Sequence, residues 1–430
     1  MKQSQFLVTS PVEDGVLLFN TLNSALVHLS REEYSQIKNI SNDNYAFNSE
    51  QMEFLERLKE LGILVERENE FLKLVEQYWE FRNSEEYIKV VVAPTTKCNF
   101  ACPYCFERGA VQKDMDSITA QRIIKIIQEK LKEGKSKRLA LIWYGGEPFL
   151  KWDIVYKMTS ILFDWCHNFG VDFMADIVTN GFLITPDIVN KLKNVGCKLI
   201  QITLDGNVQY HNAKRFLKNG LGTFETIYEN ICLCCKEINT TVRVNIDKSN
   251  VQSVRSLIDR FSMDQYFDVE LFFAPVEPFY DSDKELCYSP EKFAEVQVSL
   301  IEYAVERGLK RCICLPTPKF GFCEAVSEHN LLFDPDGDHF LCWENVGKKE
   351  LTSCSKSDPE VFSTLYNYFV RTYSFHKEEC TKCSIFPLCL GGCPQRKLES
   401  GNAQCPVLFY NIEDMIRIYY ETFMHQCSKE

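Results

Sequence analysis

Three cysteines lie close together in the stretch Cys98-Asn99-Phe100-Ala101-Cys102-Pro103-Tyr104-Cys105. The apolar, β-branched run Ile88–Ala93 precedes them and predicts a buried strand, which Pro94 ends. The cysteines would then follow the carboxyl end of a strand, where α/β proteins place their chemistry. Because each iron of a cubane cluster takes one thiolate, three cysteines hold three irons of a 4Fe–4S cluster and leave the fourth open. The alternatives are a zinc half-site, although zinc usually takes C-x2-C pairs, and three buried thiols, which give no reason for a loop position.

A second set of regularly spaced cysteines lies towards the end of the sequence. It consists of Cys323, Cys342, Cys380, Cys383, Cys389, Cys393 and Cys405. Seven or eight thiolates can ligate two more 4Fe–4S clusters, and crossed ligation would staple a loop-rich segment that has little core of its own. Zinc is the alternative for the pair Cys380 and Cys383. The remaining cysteines, such as Cys232, Cys234 and Cys235, are more typical of packing thiols.

The composition is that of a globular protein with two or three domains. The chain has 430 residues, of which 45% are hydrophobic and 25% charged, and a formal net charge of −12. This charge, with lysines and arginines spread along the chain, argues against nucleic acid as a partner. We find no apolar run long enough to span a bilayer and no secretory signal, so we expect a cytoplasmic protein. In a reducing compartment, 20 cysteines indicate metal or redox chemistry.

Strands and helices alternate over residues 86–310, which predicts βα units around a parallel sheet. The predicted strands are Ile88–Ala93, Leu139–Trp143, Phe173–Thr179, Leu199–Leu204, Val242–Ile246 and Val269–Phe273. The predicted helices include Ser117–Leu131, Lys151–His167, Phe224–Lys236, Val251–Phe261 and Pro290–Arg307. Residues 311–430 then form a cysteine-rich domain that ends in a helix.

Residues 1–85 are predicted to form a small separate domain. Its predicted elements are strands at Phe6–Val8, Gly15–Asn20 and Ala25–Leu29, helices at Ser30–Lys38 and Asn48–Leu61, a β wing at Leu64–Phe71 and a linking helix at Phe71–Asn83. This arrangement suggests a winged-helix fold. The second helix carries more acidic than basic residues, which is a poor match to the phosphates of DNA. One alternative is that this domain has no binding role and serves only as a structural cap on the rest of the protein.

The first cysteine motif, with the aromatic Tyr104 before its last cysteine, resembles the signature of the radical S-adenosylmethionine (SAM) superfamily. The resemblance implies a partial (β/α)6 TIM barrel in which SAM chelates the open iron. The segment Tyr144-Gly145-Gly146-Glu147-Pro148 resembles the family's GGE motif, whose glycine carbonyls and glutamate charge would receive the SAM ammonium group. The segment Thr203-Leu204-Asp205-Gly206 resembles the family's S-L-D-G, and Arg215 matches an arginine that pairs with the SAM carboxylate.

By this resemblance, the residues that would contact SAM are Tyr104, Gly145, Gly146, Glu147, Thr203, Arg215 and Asn245. Thr203 would hold polar groups of SAM, whereas Asp205 would cap a turn. For Asn245, a structural hydrogen bond is an equally open interpretation. The resemblance assigns no catalytic side chain beyond these contacts.

The second set of cysteines resembles the pattern of the SPASM domain, a loop-rich iron–sulfur domain found in a subset of radical SAM enzymes. The resemblance implies two auxiliary 4Fe–4S clusters, and therefore three clusters in all. Cys323, Cys342 and Cys393 would hold the first auxiliary cluster, and Cys380, Cys383, Cys389 and Cys405 the second. The fourth ligand of the first auxiliary cluster would be Cys314, or a substrate thiolate on an open iron.

Taken together, these motifs resemble radical SAM/SPASM maturases of ribosomally made peptides, of the sactipeptide and ranthipeptide type. The resemblance implies a front domain that binds a leader peptide by strand addition, an electron donor such as flavodoxin or ferredoxin, and no nucleic-acid or membrane partner. A 5′-deoxyadenosyl radical would abstract hydrogen from the peptide, and a Cys sulfur would join a carbon in a thioether. The alternatives are carbon–carbon cross-linking, epimerisation, sulfatase-type maturation, and a non-enzymatic iron–sulfur protein. By resemblance, sulfatase-type maturases have the pair Cys-Asp at the position where this chain has Cys342-Trp343.

Overall fold

The computed structural model describes residues 1–38, 48–66, 69–134, 136–279, 284–318, 323–327, 329–348, 375, 377–401 and 404–424. All of the predicted site residues lie in these ranges. Part of the predicted wing, residues 67–68, lies outside them. Within these ranges, no helix has both the length and the apolar character needed to cross a membrane.

The N-terminal unit is built around a three-stranded antiparallel sheet. The unit as a whole contains the strands β1 (Lys2–Gln3), β2 (Leu7–Val12), β3 (Gly15–Asn20), β4 (Leu26–Leu29) and β5 (Leu64–Val65). Its helices are α1 (Arg31–Lys38), α2 (Ser49–Glu60) and α3 (Glu70–Asn83). Strands β2, β3 and β4 pair in that order, and β1 pairs with β5. Leu18 and Leu29 of the sheet pack against Ile37 of α1 and Leu55 of α2. The predicted strands and helices of this region are observed with shifts of one or a few residues.

The predicted wing at Leu64–Phe71 is wrong. Among the described residues of this range, Leu64–Val65 forms a short strand that pairs with Lys2–Gln3, and a helix begins at Glu70. The helix α3 begins at Glu70 because the side chain of Asn69 caps it by accepting a hydrogen bond from Leu72 N. Buried Glu70 then accepts hydrogen bonds from Ser4 Oγ and Gln5 N, which ties the start of the helix to the first residues of the chain.

The central unit is a parallel sheet whose six strands are linked by helices. Its strands are β6 (Tyr87–Val92), β7 (Arg138–Trp143), β8 (Asp172–Thr179), β9 (Cys197–Thr203), β10 (Asn239–Ile246) and β11 (Glu270–Pro275). Its helices are α4 (Ser117–Glu133), α5 (Trp152–Phe169), α6 (Pro186–Asn194), α7 (Val208–Lys214), α8 (Phe224–Cys234), α9 (Val251–Met263) and α10 (Pro290–Glu306). The strands pair in chain order, as a partial (β/α)6 barrel requires, and the fold class is confirmed.

A seventh strand, β12 (Leu331–Phe333), joins the sheet in parallel beside β6. The sequence analysis did not predict it, because three apolar residues are too short to identify a strand. Alternate strand residues such as Val90 and Leu141 pack against the outer helices. On the opposite face, Val91 and Ile142 pack against Leu332 and residues that follow it.

The last part of the chain packs against the N-terminal sheet. It contains α11 (Glu378–Thr381), α12 (Phe386–Cys389), α13 (Pro394–Ser400) and α14 (Leu408–Phe423). Val8 and Phe19, on the sheet face away from α2, lie in one buried cluster with Ile385, Ile412 and Ile416. Both faces of the small sheet are therefore covered, and the cysteine-rich segment shares a core with the N-terminal unit.

Candidate active site

The loop that carries Cys98, Cys102 and Cys105 leaves β6 at its carboxyl end, as predicted. Two backbone hydrogen bonds fasten it to the segment after α7: Ala101 N donates to Phe216 O and Lys218 N donates to Asn99 O, each at 3.0 Å. Phe100 N also donates to the sulfur of Cys98 at 3.4 Å. This backbone pairing fixes the path of the chain between the first and second cysteines.

The three thiols form one half-buried group. Burial raises the pKa of Cys98 to about 11 and that of Cys105 to about 12, and the other two thiols of the group add to the shift at Cys105. If these thiols ionise, the thiolates therefore repel one another unless a cation lies among them. A metal centre would supply that positive charge and take up the thiolates, so the donor set fits the iron cluster that the motif implies.

The loop after β7, which carries Gly145 and Gly146 and is called the glycine loop, packs directly on the backbone that leads to Cys98. Gly146 N donates to Thr95 O at 3.0 Å, and Glu147 N donates to Lys97 O at 2.9 Å. A Cβ at Gly145, where φ is +113°, would lie 2.5 Å from Thr95 O, and one at Gly146 would lie 2.2 Å from Lys97 O. Both glycines are therefore needed for the close approach of two loops.

Glu147 is fully buried and braces a third loop. Its Oε1 accepts hydrogen bonds from Thr179 Oγ1 at 2.8 Å and from Phe149 N at 3.0 Å. Its Oε2 accepts one from Asn180 N at 2.8 Å. Burial raises the pKa of Glu147, and these donors oppose the rise. Its predicted contact with the SAM ammonium group remains a prediction.

Asn180 is a site residue that the sequence analysis missed. Its Nδ2 donates to Asn99 Oδ1 at 2.8 Å and lies 3.7 Å from the sulfur of Cys98. The residue follows β8 directly, at the same sheet edge as the cysteine loop, and that position was the available signal. Through Asn180, the end of the third barrel strand reaches the first cysteine.

Tyr104, Asp205 and Arg215 form a buried network. The Tyr104 hydroxyl donates to Asp205 Oδ2, and Arg215 Nη1 donates to the Tyr104 oxygen at 2.9 Å. Although burial opposes its charge, the neighbouring groups Tyr104, Cys102 and Asp205 together raise the pKa of Arg215. Arg215 Nε is buried and has no partner among the described residues. An unpaired guanidinium donor fits a carboxylate ligand such as that of SAM.

Two other site residues have structural partners. Asp205 was predicted to cap a turn, but its Oδ1 accepts a hydrogen bond from Asn245 N at 2.9 Å and so links the fourth and fifth strands. The side chain of Asn245 accepts one from Arg243 Nε at 2.9 Å, the structural role that was left open for it. Thr203 is buried at the end of β9, beside this network.

His211 supports the backbone of Arg215 through a chain of hydrogen bonds. Its Nδ1 accepts a hydrogen bond from Asp205 N at 3.2 Å, so its Nε2 carries the proton and donates to Thr223 Oγ1 at 3.0 Å. Thr223 Oγ1 in turn donates to Arg215 O at 2.6 Å. Burial lowers the pKa of His211, which keeps the ring neutral, as this tautomer requires. The sequence analysis did not predict a role for His211.

The later cysteines gather into two groups. Cys342 lies beside Cys323 and Cys393, which reinforce the rise of its pKa that burial causes. Cys389, whose pKa burial raises to about 11, lies beside three further thiols of the predicted set: Cys380, Cys383 and Cys405. These are the two sets that the sequence predicts. Cys314 is exposed, and a charged residue near it is Glu270. No described interaction joins Cys314 to the group of Cys342.

An aromatic layer, formed by Phe106, Tyr144 and Trp343, lies near both the first cysteine group and that of Cys342. Burial raises the pKa of Tyr144, and both Cys105 and Cys342 add to the shift, so this ring stands near both groups. The ring centroids of Tyr144 and Trp343 are 4.5 Å apart, and Phe106 stacks on the other side of Tyr144 at 6.3 Å. Trp343 Nε1 is buried with no partner among the described residues.

Comparison with known proteins agrees with this fold. Residues 92–261 match the sequence profile of the Radical SAM superfamily, and this segment is a radical SAM domain. That class of domain implies SAM and a 4Fe–4S cluster. The radical SAM cyclopropyl synthase TigE of Paramaledivibacter caminithermalis is 27% identical over 264 residues, which is 53% of this chain and 54% of TigE. This chain thus spans about half the length of that relative.

Two other proteins extend the similarity. The cysteine-type anaerobic sulfatase-maturating enzyme of Clostridium perfringens is 22% identical over 343 residues, covering 71% of this chain and 88% of the enzyme. The structure of Streptococcus suis SuiB bound to the precursor peptide SuiA has 16% identity and a TM-score of 0.54, covering 94% of this chain and 99% of SuiB. This structural likeness shows a shared fold.

Because Arg215 Nε has no partner among the described residues, we expect this side chain to contribute to SAM affinity. In the Arg215→Lys variant the charge remains but the fork and Nε are lost, so we expect the SAM dissociation constant to rise about 10–100-fold, as for one charge-assisted hydrogen bond. Equilibrium binding to the reconstituted protein measures this. The matched control is Arg260→Lys, because Arg260 pairs with Glu225 on the outside of the barrel. Equal affinity in the parent and Arg215→Lys would show that Arg215 does not bind SAM.

Proposed function

We propose that this protein is a radical SAM enzyme that modifies a ribosomally made precursor peptide by joining a Cys sulfur to a carbon atom in a thioether. The observation that carries the proposal is the division of ten motif cysteines into groups of three, three and four. A four-thiolate group completes one cluster, whereas each three-thiolate group leaves one iron open. One open iron would serve SAM, and the other would serve the substrate thiolate.

The chain's own residues would hold and orient SAM beside the first group. Cys98, Cys102 and Cys105 would ligate the cluster, and Arg215 Nε would take the SAM carboxylate. The glycine loop, held on the backbone before Cys98, would receive the ammonium group. Bound SAM and the three clusters supply a hydrogen-abstracting radical and an acceptor for the electron that is released when sulfur attacks carbon. Flavodoxin or ferredoxin would be the electron donor.

The reacting part of the peptide would lie against the aromatic layer of Phe106, Tyr144 and Trp343. This layer excludes water between the first cysteine group and Cys342, which protects a carbon radical from side reactions. The unpaired Nε1 of Trp343 offers one hydrogen bond to a peptide carbonyl. Because no described interaction joins Cys314 to the group of Cys342, we favour a substrate thiolate over Cys314 as the fourth ligand beside Cys342.

A sulfatase-type maturase is the competing function, and the relative from Clostridium perfringens supports it. The resemblance places an aspartate base directly after the cysteine that corresponds to Cys342, but this chain has Trp343. The next residue, Glu344, lies 3.5 Å from Arg396 in an ion pair, and Arg396 also pairs with Glu277 at 3.4 Å. An ion-paired carboxylate is a weaker base. The likeness to SuiB, whose structure holds the precursor peptide SuiA, favours peptide maturation.

The N-terminal unit would bind the leader peptide at the outer edge of β4. Asn20 N donates to Ala25 O at 2.9 Å, and by the alternation of antiparallel bonds the N–H groups of Leu26 and His28 point away from β3. The opposite edge, β2, contains Pro11, which has no N–H to offer an added strand. An extended leader can thus gain main-chain hydrogen bonds along β4.

The product distinguishes the competing reactions. We expect the reduced, reconstituted enzyme with SAM to remove two hydrogen atoms and one alkylatable thiol per link from a Cys-rich precursor peptide encoded in a neighbouring reading frame. Mass spectrometry before and after thiol alkylation measures both changes, and peptides with each Cys replaced by Ser are the control. A mass loss with every thiol still alkylatable would indicate carbon–carbon coupling. Solvent deuterium in a peptide without the hydrogen loss would indicate epimerisation. Either result contradicts the thioether.

A pair of proline variants tests the leader site. His28→Pro removes an outward N–H on β4, and we expect leader affinity to fall at least about fivefold, since one main-chain hydrogen bond contributes about 1 kcal/mol. Thr9→Pro is the matched control, because the bond from Thr21 N to Phe6 O sets the alternation that directs Thr9 N–H outward on β2. Fluorescence anisotropy of a labelled leader measures both. Weaker binding in Thr9→Pro alone would refute the assignment to β4.

A further inference from the structure

We propose that Lys397 is a positioning charge that raises the reduction potentials of both auxiliary clusters, an inference that rests on the cluster assignment above. Lys397 lies in α13, one helical turn after Cys393, and Lys397 N donates to Cys393 O at 3.2 Å. Cys393 is the N-cap residue of α13, so this backbone bond holds Lys397 in the first turn after the cysteine. Only 8% of Lys397 is exposed.

The charge of Lys397 is influenced by cysteines of both auxiliary groups. Its electrostatic neighbours include Cys393, of the group of Cys342, and both Cys380 and Cys389, of the four-thiol group. Burial lowers the pKa of Lys397, with nearby Lys377 acting in the same direction, and the three sulfurs oppose this. A buried ammonium group is costly unless anions surround it. Two thiolate-ligated clusters, which are anions, would supply that surrounding charge.

A buried cation affects the two oxidation states of a cluster unequally. Reduction adds one negative charge, so a fixed positive charge nearby stabilises the reduced form more than the oxidised form. Local charge and solvent exposure are among the main determinants of cluster potentials. The effect is large in a low-dielectric interior and weak at a solvated surface. Lys397 is thus placed to raise the potentials of both auxiliary clusters, which makes them better electron acceptors.

The chain provides a matched control in Lys382. This lysine stands between Cys380 and Cys383 in sequence, but its side chain is 74% exposed and pairs with Glu378. Both lysines carry the same charge and follow a ligand cysteine closely. They differ in burial, so comparing them separates the effect of a buried charge from that of mere proximity in sequence.

The test is an EPR-monitored redox titration of the full-length, reconstituted protein, with iron content measured for each sample. We expect the midpoint potentials of both auxiliary clusters to fall in Lys397→Met, to return towards the parent values in Lys397→Arg, and to be unchanged in Lys382→Met. The SAM-binding cluster serves as an internal reference, and its potential should stay constant in all variants. Activity is not needed for this measurement.

Three results would overturn the proposal. The first is a Lys397→Met protein with the parent iron content and unchanged potentials. The second is an equal shift in Lys382→Met. The third is loss of an auxiliary cluster in Lys397→Met but not in Lys397→Arg, which would assign the charge to cluster assembly instead. A parent protein that holds only one cluster would refute the cluster assignment itself, so the two failures are distinguishable.

Discussion

The site depends on the docking of two loops at the carboxyl edge of the parallel sheet. The hydrogen bonds from Gly146 N to Thr95 O and from Glu147 N to Lys97 O fix the backbone that enters the cysteine motif. Glu147 then holds Asn180, and Asn180 reaches Cys98 and its neighbour Asn99. Three strand ends are thereby joined by direct contacts, and the geometry of the first cysteine group follows from loop packing that only glycine permits.

A second dependence links the two ends of the chain. The small N-terminal sheet contributes Val8 and Phe19 to a buried cluster with Ile412 and Ile416 of α14, and Thr21 Oγ1 donates to Ser384 O beside Cys383. The segment that carries the four-thiol group therefore uses the proposed leader-binding unit as part of its core. Leader binding and auxiliary-cluster integrity share one structural support, and point variants at a sheet edge are more informative than deletion of the unit.

Much of this structure could be predicted from the sequence, for identifiable reasons. Apolar, β-branched runs located all six barrel strands, and cysteine spacing located the three thiol groups. The sequence could not locate β12, because its pairing with β6 depends on tertiary contacts. It also missed the roles of Asn180 and His211, since one polar residue in a loop gives no sign of its partners. The predicted wing at Leu64–Phe71 was wrong because Asn69 caps a helix that begins at Glu70, inside the predicted range.

We propose that one chain holds a SAM-binding cluster and two auxiliary clusters. Iron analysis with Mössbauer spectroscopy of the anaerobically reconstituted protein tests it most directly. We expect about twelve irons per chain, all in 4Fe–4S clusters, and about eight in the Cys98→Ala, Cys102→Ala, Cys105→Ala triple variant. About four irons in the parent, or stoichiometric zinc in place of the auxiliary iron, would contradict it.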